Sequence, residues 1–98
     1  VTEVKPAKTI EELRAMVDII DARILDLLKQ RVQFAKDMGA IKKKTGRTLR
    51  DAARENEILR RIALENSRSE PILLERDLNV LYSQVMHICL KAQEQEQK

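Results

Sequence analysis

The sequence predicts an all-α protein: three helices per chain, one of them very long, paired with a second copy in an intertwined antiparallel homodimer. Three observations carry this expectation. Charged residues make up 36 % of the 98 positions and apolar residues 43 %, with two glycines, two prolines, one phenylalanine, one tyrosine and no tryptophan. That profile belongs to long helices rather than sheets. Apolar positions recur at alternating spacings of four and three, the period of a packed helix face, and no alternation of period two is present. The first such run is also longer than a compact chain of this size can bury alone.

The first helix is expected from about Ile10, because Thr9 followed three residues later by Glu12 forms a capping box. Its apolar seam runs Leu13, Val17, Ile20, Ile24, Leu27, then Phe34, Met38 and Ile41. Gly39 weakens the interior by roughly 1 kcal/mol, too little to break it. The helix should stop at Thr45-Gly46, where the glycine can turn left-handed. Asp51 is a good N-cap for a second helix with Glu55 in its first turn and an apolar face of Ile58, Leu59, Ile62 and Ala63. That face fades into the polar stretch Glu65 to Ser69. Ser69 or Glu70 is expected to cap a third helix with Pro71 near its first position. Its seam would be Leu74, Leu78, Leu81, Val85 and Ile88.

The domain is therefore placed at residues 9–94. Residues 1–8 are expected to be disordered or extended, and 95–98 to be a polar tail that frays or leads to another domain. A helix from residue 10 to 44 is roughly 52 Å long at 1.5 Å per residue. A compact 98-residue monomer has a radius of gyration near ~13 Å, so the seam must be covered by another chain. An antiparallel homodimer is the simplest closed solution.

A lone cysteine, Cys89, excludes an internal disulfide and fits a reducing compartment. No apolar run approaches the ~18 residues of a membrane span, and the leading VTEVKPAK has no signal-peptide stretch. A cytoplasmic protein with no membrane partner is expected. Lys42, Lys43, Lys44, Arg47 and Arg50 form a basic cluster that could grip phosphates. Phe34 and Tyr82 are too few to interleave with bases, so no nucleic-acid partner is expected. The cluster is either a solvated helix end or the place of a small anion.

One residue breaks the first seam. Four positions after Leu27 stands Arg31, before Phe34, Met38 and Ile41 resume. An arginine on an apolar seam is costly unless it is paired or binds an anion. It either meets an acidic residue of a neighbouring helix, snorkels to water, or recognises a carboxylate with its planar fork. Lys42, eleven residues on, returns within roughly 20° of the same face and ~16 Å along the axis, so the two cations can bracket a small dianion. Arg14 lies roughly 25 Å before Arg31 along the helix and can meet the same ligand only from a partner subunit; taken alone it reads as a solvated helix charge. RDAARE, residues 50–55, puts Asp51, Arg54 and Glu55 within one turn at a helix N-terminus, which is also ordinary capping chemistry. Cys89 and Gln93 share a face of the third helix. His87 has no second ligand at metal spacing and reads as structural or exposed. With no Ser/His/Asp set, Cys/His metal pattern or Gly-rich phosphate loop, an enzyme of this sequence would act by positioning and electrostatics on an anionic substrate.

Arg14 in ELRAMVDIIDARILDLLKQR, then Arg31, Lys42 and RDAARE resemble the motif set of the all-helical chorismate mutase family, over about residues 9–94. The resemblance implies a homodimeric enzyme that converts chorismate to prephenate without a cofactor or metal. It implies that Arg31 and Lys42 hold the substrate carboxylates, joined by Arg14 across the dimer. Lys42 and Gln93 would donate to the ether oxygen. Glu55, with the Asp51 segment and Arg54 beside it, would receive the ring hydroxyl. Cys89 falls where related enzymes often carry a small polar residue, and a thiol is a weaker donor. Three alternatives remain: an isochorismate–pyruvate lyase on the same fold, against which the acidic Glu55 counts; a non-catalytic ligand-binding or dimerisation domain of a larger aromatic-pathway enzyme; and, third, a purely structural helical dimer or nucleic-acid binder, neither of which needs Arg31 on the seam.

Overall fold

The computed structural model describes residues 9–70 and 72–98; the expected extended segment 1–8 and Pro71 lie outside the described residues. Among the described residues the chain is all-helical, with α1 (Ile10–Thr45), α2 (Ala52–Arg68) and α3 (Glu75–Gln95) and no strand. None of these helices is long and apolar enough to cross a membrane.

The ends of α1 and the start of α2 follow local chemistry. The Glu12 N–H donates to Thr9 Oγ1 at 3.1 Å, satisfying one of the orphan donors of a helix start. At the other end Gly46 has φ +71°, and the Arg47 N–H reaches back to the Lys42 carbonyl at 3.1 Å. This six-to-one bond around a left-handed glycine is a Schellman ending. Asp51 is extended, at φ −125° and ψ 94°, and its carboxylate accepts from the Arg54 N–H at 2.9 Å.

The start of α3 differs from expectation. Neither Ser69 nor Glu70 caps it: Ser69 is the C-cap of α2, its hydroxyl donating to the Glu65 carbonyl at 3.4 Å. The polar stretch after Ala63 stays helical because polar residues suit a solvated helix end as well as a loop. Helix α3 starts at Glu75 behind Leu74, which offers no side-chain cap. Glu75 and Asp77 put negative charge in its first turn, where the helix dipole favours it. Asn66 donates to the Leu73 carbonyl at 2.8 Å and ties the connection back to α2.

The chain divides into two compact units, Val1–Gln30 and Arg31–Lys98. In the first, the described residues are the leading part of α1, and its seam is bare: Leu13, Val17, Ile20, Ile24 and Leu27 are all exposed in the single chain. In the second, the trailing part of α1, α2 and α3 share a small core. Ala35 is fully buried, with Cys89 and Ala92 beside it and Val32 packed on them. Ile58 of α2 and Leu78 of α3 are also buried, and α2 packs on α3.

The expected seams meet this core only in part. Leu78 is buried and Val85 half-buried, whereas Leu81 and Ile88 on α3, Leu74 just before it, and Phe34, Met38 and Ile41 on α1 remain exposed in the single chain. The buried residues of α3 are Leu78, Cys89, Ala92 and Gln93. Small residues allow closer approach of helix axes than large ones, so Ala35, Gly39 and Ala92 face inward and the bulky side chains are left outside.

Candidate active site

The second unit holds a cleft of about 310 Å³, within the size range of small-molecule sites. Helix α1 contributes Arg31, Met38 and Lys42 to it; the following loop and α2 contribute Leu49, Asp51, Arg54 and Glu55; α3 contributes Cys89 and Gln93. Seven of the eight expected site residues therefore line one cavity. Arg14, the eighth, belongs to the first unit, is exposed, and does not line this cleft.

Lys42 is anchored at two points. One Schellman turn from the end of α1, its ammonium donates to the Leu49 carbonyl at 2.6 Å and to Gln93 Oε1 at 2.9 Å. An ammonium has three N–H groups, so one is left for a ligand. With its oxygen held by Lys42, the buried Gln93 amide keeps its NH₂ group as a donor. The two residues thus form a paired donor set reaching from α1 to α3.

Arg31 is half-buried and has no carboxylate at ion-pair distance among the described residues. Its Nη1 donates to Cys89 Sγ at 2.9 Å. A thiol is a poor counter-ion, so the guanidinium keeps its capacity for an anion. Glu55 is treated differently. Arg50 holds it in a forked contact, Nη2 to Oε1 at 3.2 Å and Nε to both oxygens at 3.4 Å. Arg54 is paired with Glu57 one turn along α2.

Arg50, Ile58, Arg61 and Met86 also line the cleft and were not among the expected site residues. Arg61 stands seven residues after Arg54 and Met86 seven before Gln93, both on repeats of two helical turns. That spacing was readable, but only once the face of each helix turned to the cleft is known. Of the five cations lining the cavity, Arg61 has no hydrogen bond or ion pair among the described residues. His87 is exposed. Among the described residues no three His, Cys, Asp or Glu side chains are grouped to hold a metal ion.

Chemically the cleft is a cationic pocket with apolar lining residues and two carboxylates, Asp51 and Glu55, each held by a protein partner. It can bind a small dianion, stabilise charge developing on an oxygen near Lys42 and Gln93, and accept a hydrogen bond at Glu55.

The family model for chorismate mutase type II matches residues 13–94. A 3-dehydroquinate dehydratase of Pyrobaculum aerophilum is 41 % identical over 49 residues, which are 50 % of this chain and 16 % of that enzyme. Among solved structures, a conserved hypothetical protein from Pyrococcus furiosus superposes with a TM-score of 0.71 at 27 % identity, covering 90 % of this chain and 99 % of the other.

Proposed function

The chain belongs to the chorismate mutase type II family, and on that premise we propose that its cleft rearranges chorismate to prephenate. The observation that carries the reading is the Lys42–Gln93 pair, 2.9 Å apart in a cavity whose Arg31 has no carboxylate partner among the described residues.

The reaction is pericyclic: the ether carbon–oxygen bond breaks as a new carbon–carbon bond forms, in one step and within one molecule. No proton or electron leaves the substrate, so the chemistry asks for no cofactor. Negative charge grows on the ether oxygen because bond breaking runs ahead of bond making. Lys42 and Gln93 would donate to that oxygen more strongly in the transition state than in the ground state, which is what lowers the barrier. Arg31 and Lys42 would hold the two carboxylates so that the enolpyruvyl arm lies over the ring. Glu55, fixed by Arg50, would accept from the ring hydroxyl, with Asp51 and Arg54 shaping that end and Cys89 lying against the substrate beside Arg31. An acceleration of ~10⁶ requires about 8 kcal/mol from these effects together.

The working unit would be a homodimer with Arg14 of the partner subunit completing the carboxylate clamp. The bare seam from Leu13 to Leu27 supports a second copy as its cover, because exposed apolar area of this extent marks an interaction surface.

The test is the loss of chorismate's ultraviolet absorbance with purified protein, alongside Arg31→Ala and with isochorismate offered in parallel. Conversion to prephenate that disappears in Arg31→Ala is expected. Release of salicylate from isochorismate without chorismate turnover would make it a lyase, a result that Glu55 in the cleft argues against. The chain matches only 16 % of the length of the dehydratase it resembles, which favours a second reading as a helical module of a larger aromatic-pathway enzyme. Chorismate binding without turnover would support that module.

A further inference from the structure

We propose that Gly39 is a positioning residue for the Lys42–Gln93 pair: its missing side chain lets α3 approach α1 closely enough for the two donors to meet. The proposal rests on the reading that this pair serves the ether oxygen. A Cβ added at residue 39 would stand 2.8 Å from both the Cα and the carbonyl oxygen of Gln93, and 3.2 Å from its carbonyl carbon. All three are backbone atoms, so no side-chain rotation relieves the clash, and α3 itself must move at Gln93.

That displacement falls on the gap between the donors. Lys42 lies one turn beyond Gly39 and cannot freely follow, because its ammonium is also bound to the Leu49 carbonyl at 2.6 Å. Its bond to Gln93 Oε1 is 2.9 Å, and such bonds weaken steeply a few tenths of an ångström beyond their ordinary range. A second tie fixes the same approach. Gln97, one turn after Gln93, donates its side-chain amide to the Gly39 carbonyl at 2.9 Å. A glycine inside a helix is unfavourable in itself, and close backbone approach is the reason for one here.

The experiment is a double-mutant cycle between Gly39→Ala and Gln93→Ala, read by steady-state kinetics on chorismate, with a crystal structure of Gly39→Ala. Gly39→Ala should lower kcat by about tenfold while KM stays within about threefold, since misplacing a donor costs transition-state contact first. In the Gln93→Ala background the further loss should shrink to under about twofold. The Lys42 Nζ to Gln93 Oε1 distance should open beyond about 3.5 Å. Equal losses in both backgrounds, or an unchanged distance, would overturn the proposal. Should Gly39→Ala fail to fold, Gln97→Ala gives the same reading: about a threefold loss of kcat, absent in the Gln93→Ala background. Unchanged kcat in that variant counts against it. Wild-type protein inactive on chorismate would sink the proposed function alone, since the crystallographic distance decides the positioning independently.

Discussion

At the scale of single residues, the cleft separates groups already committed to protein partners from groups with capacity to spare. Lys42 uses two of its N–H groups to fix itself on Leu49 and Gln93. Replacing it with alanine removes a donor and also frees the Gln93 amide. Lys42→Ala is expected to lose at least ~10² in kcat, the effect of deleting one oxyanion donor; near-normal turnover of chorismate would remove Lys42 from the mechanism. Arg31 rests on the Cys89 sulfur at 2.9 Å. Cys89→Ala should raise KM about fivefold, corresponding to about 1 kcal/mol for a modest hydrogen bond. Cys89→Ser should restore it, because a hydroxyl also accepts from a guanidinium. Equal KM values in the alanine and serine variants would show that the thiol only fills space.

At the scale of elements, the turn between α1 and α2 positions two sides of the cleft at once. Gly46 adopts φ +71°, and a Cβ there would meet nothing within 4 Å. The cost of Gly46→Ala is therefore one of backbone conformation alone, about 1 kcal/mol. Urea denaturation should show it as a lower midpoint with an unchanged slope. Asp51 has two claims on it, as N-cap through the Arg54 N–H and as a lining residue of the cleft. Asparagine caps as well as aspartate, so Asp51→Asn should hold stability while Asp51→Ala loses about 1 kcal/mol. Comparing the two denaturation curves separates the cap from the charge. Equal losses would mean that the carboxylate's charge, and not its capping oxygen, stabilises α2.

For the whole molecule, the consequence of the bare seam is association. Sedimentation should give twice the 11.4 kDa mass of the chain. Ile20→Asp, which puts a charge in the middle of the exposed apolar run, should leave a monomer or an unfolded chain. The expected sharing of sites has a sharper consequence. Arg14→Ala and Lys42→Ala chains, each inactive alone, would rebuild one complete site when paired, from the Lys42 of one and the Arg14 of the other. Refolding them as an equal mixture should recover about one quarter of wild-type activity, because half the dimers are mixed and each carries one good site of two. No recovery from mixed dimers would place Arg14 outside the site.

Much of this protein is determined along the chain. Thr9 with Glu12, Gly46 and Asp51 mark helix ends by chemistry confined to four or five residues, which is why those boundaries were legible. Arg31 was legible as an exception, since a charge on an apolar repeat is visible without knowing what lies opposite. The start of α3 was not, because Ser69 can end one helix as readily as begin another, and nothing local distinguishes the two. Spacing identified part of the inward faces: it named Ile58 and Leu78, which are buried, but not the small residues Ala35, Gly39, Cys89 and Ala92 on which the chain's own core is built. Periodicity reports how side chains are arranged around one axis. Which side turns inward, and that Gln93 meets Lys42 or Cys89 meets Arg31, depends on how closely separate helices approach, and that is settled by steric fit between residues far apart in the chain, such as Gly39 and Gln93.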